Sequence, residues 1–393
     1  MIQAPSRIET EQPQQAKAKA SILSSYVLLA LLLLVAVDLA ARLSYPYWSY
    51  DRYNSPNRSW VWWASNDFRK LDRAPDIVLL GSSLMMAAVH GGDATYTNVA
   101  QNTTAHHHSQ YFEDLLGRKE GKQLSTFSFA IGGQMASDAY VIIRALCQGE
   151  RKPQEIVFGI APRDFMDNCL ANPASTETFR YLSRISDLSD IAVGARTSLW
   201  DLIDYGMGKI SFIYGHRLDL LYLEQKLAKQ AVQTLTGYKD LENVHTTFHI
   251  RQLALIDYPE DTGPNEVFTE PFNGKNDPYK DNLAEYASRY RQFNRKLFNQ
   301  QVDYLDKLLA VCKDRQIKVT LVNMPITQDN VNLMPAGLYK NYLDTVAQTS
   351  TKYGARLLDL NDPRLFTKQC FADSVHLNGY GGMRFFEVLS NRF

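Results

Sequence analysis

The sequence predicts an α/β domain: a three-layer α/β/α sandwich around a parallel sheet, tethered by one N-terminal helix. Three observations carry this. Short, wholly apolar runs recur along the chain and are separated by helical patterns. Such runs read as strands buried on both faces, which is the signature of a parallel sheet covered by helices. A long segment, 285–312, repeats apolar residues at steps of three and four (Phe298, Val302, Leu305, Leu309, Cys312) and reads as an amphipathic helix. Finally, "ASILSSYVLLALLLLVAV" (20–37) carries no charge and, with the residues after it, is long enough to span a bilayer core.

In chain order, residues 1–19 are polar and are expected to form a disordered cytoplasmic tail. Residues 20–41 are expected to be a transmembrane anchor, interrupted by Asp38 near its end. A cleaved signal peptide is the alternative; the apolar run is long and "AARLSY" is only a fair cleavage site, which favours an anchor. Lys17 and Lys19 on one side balance Arg42 and Arg52 on the other, so charge does not orient it. Residues 42–74 form an aromatic juxtamembrane linker, in which "YPYWSY" and "WVWW" read as an interfacial belt. The expected strands are "APDIVLLG" (74–81), "STFSFAIGG" (125–133), "PQEIVFGIAPRDF" (153–165), "RQIKVTLVNMPIT" (315–327) and "GARLLDL" (354–360). A helix over about 379–391 closes the domain, 75–393. An insertion at about 166–284 reads as helical to about 236 and irregular after that, as a cap or partner surface.

Composition bounds the function. The 42 Lys and Arg balance the 42 Asp and Glu, so no basic face points to nucleic acid. The four cysteines form no CxxC pair, which argues against a zinc or thioredoxin-like site; one or two disulfides remain open.

Chemistry enters at Gly81-Ser82-Ser83. A serine at a strand-to-helix turn has its own N–H and a helix N-terminus facing any oxyanion that forms. Glycine before it permits a tight turn. The structural alternative is a helix N-cap by Ser82 or Ser83. At the far end of the chain, "CFADSVHLNGYGG" supplies Asp373-x-x-His376 before the last helix. A serine nucleophile needs a base, and the base needs an acid to orient it. His376 would be that base and Asp373 the acid, against the alternative of a surface Asp–His pair.

On "LLGSS" (79–83), "AIGGQ" (130–134) and "DSVH" (373–376), the chain resembles the SGNH (GDSL-like) hydrolase superfamily, and among its members the membrane-anchored envelope types: DltD-like, alginate O-acetylation-like and DUF1574-like. The resemblance implies a flavodoxin-like sheet and a nucleophile at Ser83, with Ser82 in place of the usual aspartate. It implies an oxyanion hole from the N–H of Ser83 and of Gly132 or Gly133, of which Gly133 is preferred. The superfamily's Gly-x-Asn-Asp block is absent; "GIAPRDF" stands there instead. Arg163 is then either a cationic oxyanion donor or a brace for Asp164. Asn323 could reach the same edge but reads more simply as a turn residue before Pro325.

Other clusters read as structural. His106, His107 and His108 suit a solvated loop, since adjacent histidines do not converge on one metal. His245 and His249 are four apart and would share a helix face, but the Thr pair and Phe between them suit a strand or loop equally, and no HExxH is present; "DYPEDTGPNE" (257–266) reads as an exposed loop. No metal and no organic cofactor is assigned. The resulting expectation is a membrane-anchored, extracytoplasmic serine esterase or O-acyltransferase. The resemblance implies an acylated envelope polysaccharide as substrate and a membrane-bound O-acyltransferase as partner. The alternatives are a degraded domain serving as a binding or assembly subunit, and a lipase on membrane lipids.

Overall fold

A computed structural model describes residues 16–47, 60–99, 101–103, 105–196, 198–237, 249–250, 255–256 and 279–393. The strands are β1 (Ile77–Gly81), β2 (Gln101–Asn102), β3 (Thr126–Ser128), β4 (Glu155–Ile160), β5 (His249–Ile250), β6 (Leu255–Ile256), β7 (Lys318–Asn323) and β8 (Arg356–Asp359). Five of them, one in each expected segment, pair in parallel in the order β3-β1-β4-β7-β8. Every residue of β1 is buried, as its unbroken apolar run requires. The first strand lies second in the sheet, which is the flavodoxin-like order, and the direction in which strands are added reverses between β1 and β4. Ligand sites form beyond the carboxyl ends of the strands at such a switch point. A small antiparallel sheet, β2-β5-β6, joins the insertion to the segment after the first domain helix.

The helices that precede and flank the early strands are α1 (Ala16–Ser44), α2 (Trp60–Arg69), α3 (Ser83–Thr97), α4 (Gln110–Glu120), α5 (Ala136–Leu146) and α6 (Arg163–Met166). The insertion adds α7 (Glu177–Ile185), α8 (Ser189–Ala192), α9 (Leu199–Ile210), α10 (Phe212–Gly215) and α11 (Arg217–Thr236). The rest of the domain adds α12 (Leu283–Tyr290), α13 (Arg295–Asp314), α14 (Gln328–Val331), α15 (Leu338–Tyr353) and α16 (Gly379–Arg392).

Several expectations change. The helix expected as the anchor begins at Ala16 and continues to Ser44, and its stretch Ser25–Ser44 is long and apolar enough to cross a membrane. Of the tail expected over 1–19, residues 16–19 belong to this helix and 1–15 lie outside the described residues. "WVWW" is not a belt: Trp62 and Trp63 are 6% and 4% exposed, because α2 packs against α5 and α7. The long helix expected over 285–312 is two helices. Asn294 interrupts it, its side chain accepting from Leu297 N at 3.1 Å to cap α13. His245 and the loop 257–266 fall outside the described residues, and His249 starts β5. All four cysteines are free, with Cys147, Cys312 and Cys370 buried and Cys169 exposed.

One helix pair positions the site. α3 and α16 touch through glycines: a Cβ on Gly382 would lie 2.7 Å from Ala88 O, and one on Gly379 would lie 1.9 Å from Thr95 Oγ1. No side chain fits there, so the helices approach backbone to backbone. These contacts lie along the middle and C-terminal half of α3, and the loop before α16 reaches from them to Ser83 at the helix N-terminus.

Candidate active site

β1 ends at Gly81, whose φ of +149° and whose closeness to Gly159 O, 2.9 Å from a would-be Cβ, both require glycine. Ser82 is the N-cap of α3 and Ser83 its first residue. Neither acts as a cap: Ser82 makes no capping hydrogen bond, and the partner of Ser83 Oγ is a side chain outside the helix. Ser83 Oγ lies 2.7 Å from His376 Nε2, across 293 residues of sequence. His376 Nδ1 lies 2.6 Å from Asp373 Oδ2. With the Nδ1 proton held by the carboxylate, Nε2 is left as the acceptor for the serine hydroxyl.

The loop that carries this pair is pinned from several sides. Asp373 Oδ1 accepts from Val375 N at 2.9 Å and from His376 N at 2.7 Å. One carboxylate oxygen thus shapes the turn while the other holds the imidazole. Ala372 N donates to His376 O, and Phe371 bridges Leu377. Ser374 Oγ accepts from Asn330 Nδ2 at 2.9 Å, and Ser374 N donates to Asn282 Oδ1 at 3.0 Å. Burial disfavours the Asp373 charge. The hydrogen bond and charge of His376 and the two loop N–H groups more than offset this and hold its pKa below the usual carboxylate range. The expected surface Asp–His pair is excluded, since Asp373 is buried and His376 mostly so.

The glycine turn after β3 faces this trio's edge of the sheet. Gly133 has φ of +84°. Among the described residues neither the N–H of Ser83 nor that of Gly133 has a protein acceptor. A Cβ on Gly132 would lie 3.3 Å from the Trp60 ring, so the turn is walled by α2.

Arg163 is buried beside the same turn, its Nη2 3.9 Å from a would-be Gly133 Cβ. It is also a brace. Its Nε donates to Asp167 at 3.0 Å, and its Nη1 reaches Gln134 O and Asp164 Oδ1, both at 3.4 Å. Burial lowers its pKa, but Asp164 and Asp167 raise it further, so it stays a cation. Burial pushes Asp164 up to about 6, against the pull of Arg163 and of the nearby Ser82 hydroxyl. Ser82 Oγ itself is buried without a hydrogen bond of normal geometry.

Asn323 does not reach the site. Its Nδ2 donates to Tyr339 Oη and Asp359 Oδ1, each at 2.8 Å, and its Oδ1 accepts from Tyr342 Oη. The histidine run is not a solvated loop. His106 Nε2 pairs with Asp93 at 2.7 Å, His107 is buried against Phe127, and His108 faces Glu113. Acidic partners on α2 and α3 meet His107 and His106 inside the domain, while His108 beside α4 stays 45% exposed, and no local pattern announces those partners. Sequence reading also missed Trp60, and it missed Asp138, which holds Met135 N at 2.8 Å and Thr176 Oγ1 at 2.5 Å just past the glycine turn.

A flavodoxin-like sheet whose first strand ends on this serine, with the Asp-x-x-His pair entering from the last loop, is the arrangement that the resemblance to SGNH-like hydrolases implies. The DltD protein family matches residues 207–390, a span that includes Asp373 and His376 but not Ser83. A crystal structure described as a "putative acylhydrolase", from Bacteroides fragilis, is 10% identical with a TM-score of 0.34, over 85% of this chain and 98% of its own. The strand order β3-β1-β4-β7-β8, not that likeness, defines the fold. No curated protein matches the chain.

Proposed function

We propose that the protein is a membrane-anchored serine esterase or O-acyltransferase. The observation that carries this is the continuous chain Asp373–His376–Ser83, with separations of 2.6 and 2.7 Å. In this reading Ser83 Oγ attacks an acyl carbonyl and His376 Nε2 takes its proton. Asp373 holds the imidazole in the required tautomer and stabilises the imidazolium. The oxyanion lies against the N–H of Ser83 and of Gly133, with the Arg163 cation behind. Collapse expels the alcohol, protonated by His376, and leaves the acyl group on Ser83. Water or a sugar hydroxyl then gives its proton to His376 and takes the acyl group. No organic cofactor enters these steps.

The likeness to DltD and the anchor support an extracytoplasmic site working on an acylated envelope or exported polysaccharide, beside a membrane-bound O-acyltransferase. Ala161-Pro162-Arg163 stands where the superfamily places Asn, which favours a second reading: a binding or assembly subunit with a degraded site. Acetyl release from acetylated polysaccharide and from a simple aryl acetate by the purified full chain separates the two. Turnover lost in Ser83→Ala supports the enzyme; equal background rates in both proteins support the binding subunit.

A further inference from the structure

We infer that α9 lies on the bilayer that α1 crosses, with one face of the helix seated among lipid acyl chains. The inference goes beyond the catalytic reading and rests on α1 being a membrane span.

Among the described residues, helix α9 has an apolar side without a protein partner. Leu199, Trp200, Ile203, Met207 and Ile210 are all exposed, Trp200 and Ile210 by 78% and 79%. At about 100° per residue they fall within one arc of roughly 100°, the width of an apolar face that normally packs against something. The polar residues of the helix lie outside that arc, and two of them, Asp204 and Lys209, are engaged elsewhere. Asp204 binds Arg184, Tyr214 and Arg217, while Lys209 Nζ donates to Arg184 O and Ser186 O, both at 3.1 Å. Tyr205, on the far side, is buried under Arg196. Such a patch on a protein surface marks an interaction site.

The anchor says what covers it. Asp38, inside the apolar stretch Ser25–Ser44, caps the helix that follows α9. Its carboxylate accepts from Ser211 Oγ at 2.7 Å, Ile213 N at 2.9 Å and Phe212 N at 3.1 Å. Ser211 directly follows Ile210, the last residue of the apolar face. The end of α9 is therefore held level with Asp38, about 9 Å along the helix axis from Ser44. Arg42 stacks over the Phe212 ring at 5.7 Å, and Tyr45 meets the rings of Phe212 and His216 at 5.3 and 4.8 Å. Arginine, tyrosine and histidine at one level, where an apolar span ends, suit the headgroup layer. A helix fixed at that depth, presenting Leu, Trp, Ile and Met, has the pattern of an interfacial helix. The three capping bonds also account for an acidic residue within the span.

The test uses the full chain reconstituted in phosphatidylcholine vesicles, with and without bromine on the acyl chains. Flotation with the vesicles first checks the anchor. The emission of Trp200, read as the difference between the protein and Trp200→Phe, is expected to be lost in brominated vesicles and to resist acrylamide. Trp200 is largely exposed, so its replacement does not threaten folding. Emission that bromine spares but acrylamide quenches would place the face in water. Emission spared by both would place it against a second copy or another protein. Either result overturns the inference, as does a chain that fails to float.

Discussion

A Cβ on Gly382 would lie 2.7 Å from Ala88 O, so α16 rests directly on the backbone of α3. This contact sets the distance between two ends of the chain. α3 begins with Ser83, and α16 follows the loop that holds Asp373 and His376. Gly382→Ala must push the helices apart, an overpacking change that costs about 1–3 kcal/mol. The expected result is a lower melting temperature together with a loss of serine reactivity, read by thermal melts and labelling on the same sample. A matched loss of stability elsewhere, for example by Leu305→Ala on α13, should spare reactivity below the melting temperature.

Gly133→Ala tests the glycine turn. The φ of +84° is a region where an L side chain costs about 1–2 kcal/mol, yet no atom lies closer to the new Cβ than Arg163 Nη2 at 3.9 Å. The fold should survive. If the Gly133 N–H serves the oxyanion, its displacement lowers kcat by about 10²–10³ with little change in KM. Steady-state kinetics on an aryl ester check the split.

Arg163 separates bracing from catalysis. Arg163→Ala leaves the Asp164 and Asp167 carboxylates buried with one cation fewer, although Arg289 still binds Asp167 at 2.6 Å. A stability loss near the lower end of about 3–5 kcal/mol is expected. Arg163→Lys keeps the charge and should recover much of that stability. A persistent fall in kcat in the lysine variant would assign the guanidinium to the transition state.

Asp138 makes stability fall as pH rises. Burial pushes its pKa up to about 7, against the lowering effects of Thr176 and the Met135 N–H. Between the unfolded value near 4 and about 7, the unfolded chain has released this proton and the folded chain still holds it. Folding is therefore penalised progressively through that window, by a few kcal/mol at most. Asp373 acts in the opposite sense. Its depressed pKa gives stability that is present above the unfolded value and lost as pH falls through the lower, folded one. Denaturant melts of the protein and of Asp138→Asn between pH 4 and 8 should diverge in favour of the variant as pH rises.

How much was legible in the sequence follows from the range of the forces involved. The strands were legible because each is a continuous apolar run, and Ser83, Asp373 and His376 because a turn glycine and a short Asp-x-x-His spacing are local patterns. The break at Asn294 was not, since one capping side chain outweighed an unbroken apolar period. The burial of His106 and His107 depends on Asp93 and Asp67, and that of Trp62 and Trp63 on α5 and α7; these partners are distant in sequence. Asn323 stood at the correct sheet edge, but Tyr339, Tyr342 and Asp359 consume its hydrogen bonds.

The most direct measurement is the reaction of the full chain with a fluorophosphonate probe, with the adduct located by intact mass and peptide mapping. The account predicts a single adduct on Ser83 that disappears in Ser83→Ala and falls sharply in His376→Ala. A folded chain that takes no adduct, or one that labels Ser83 equally well without His376, would contradict it.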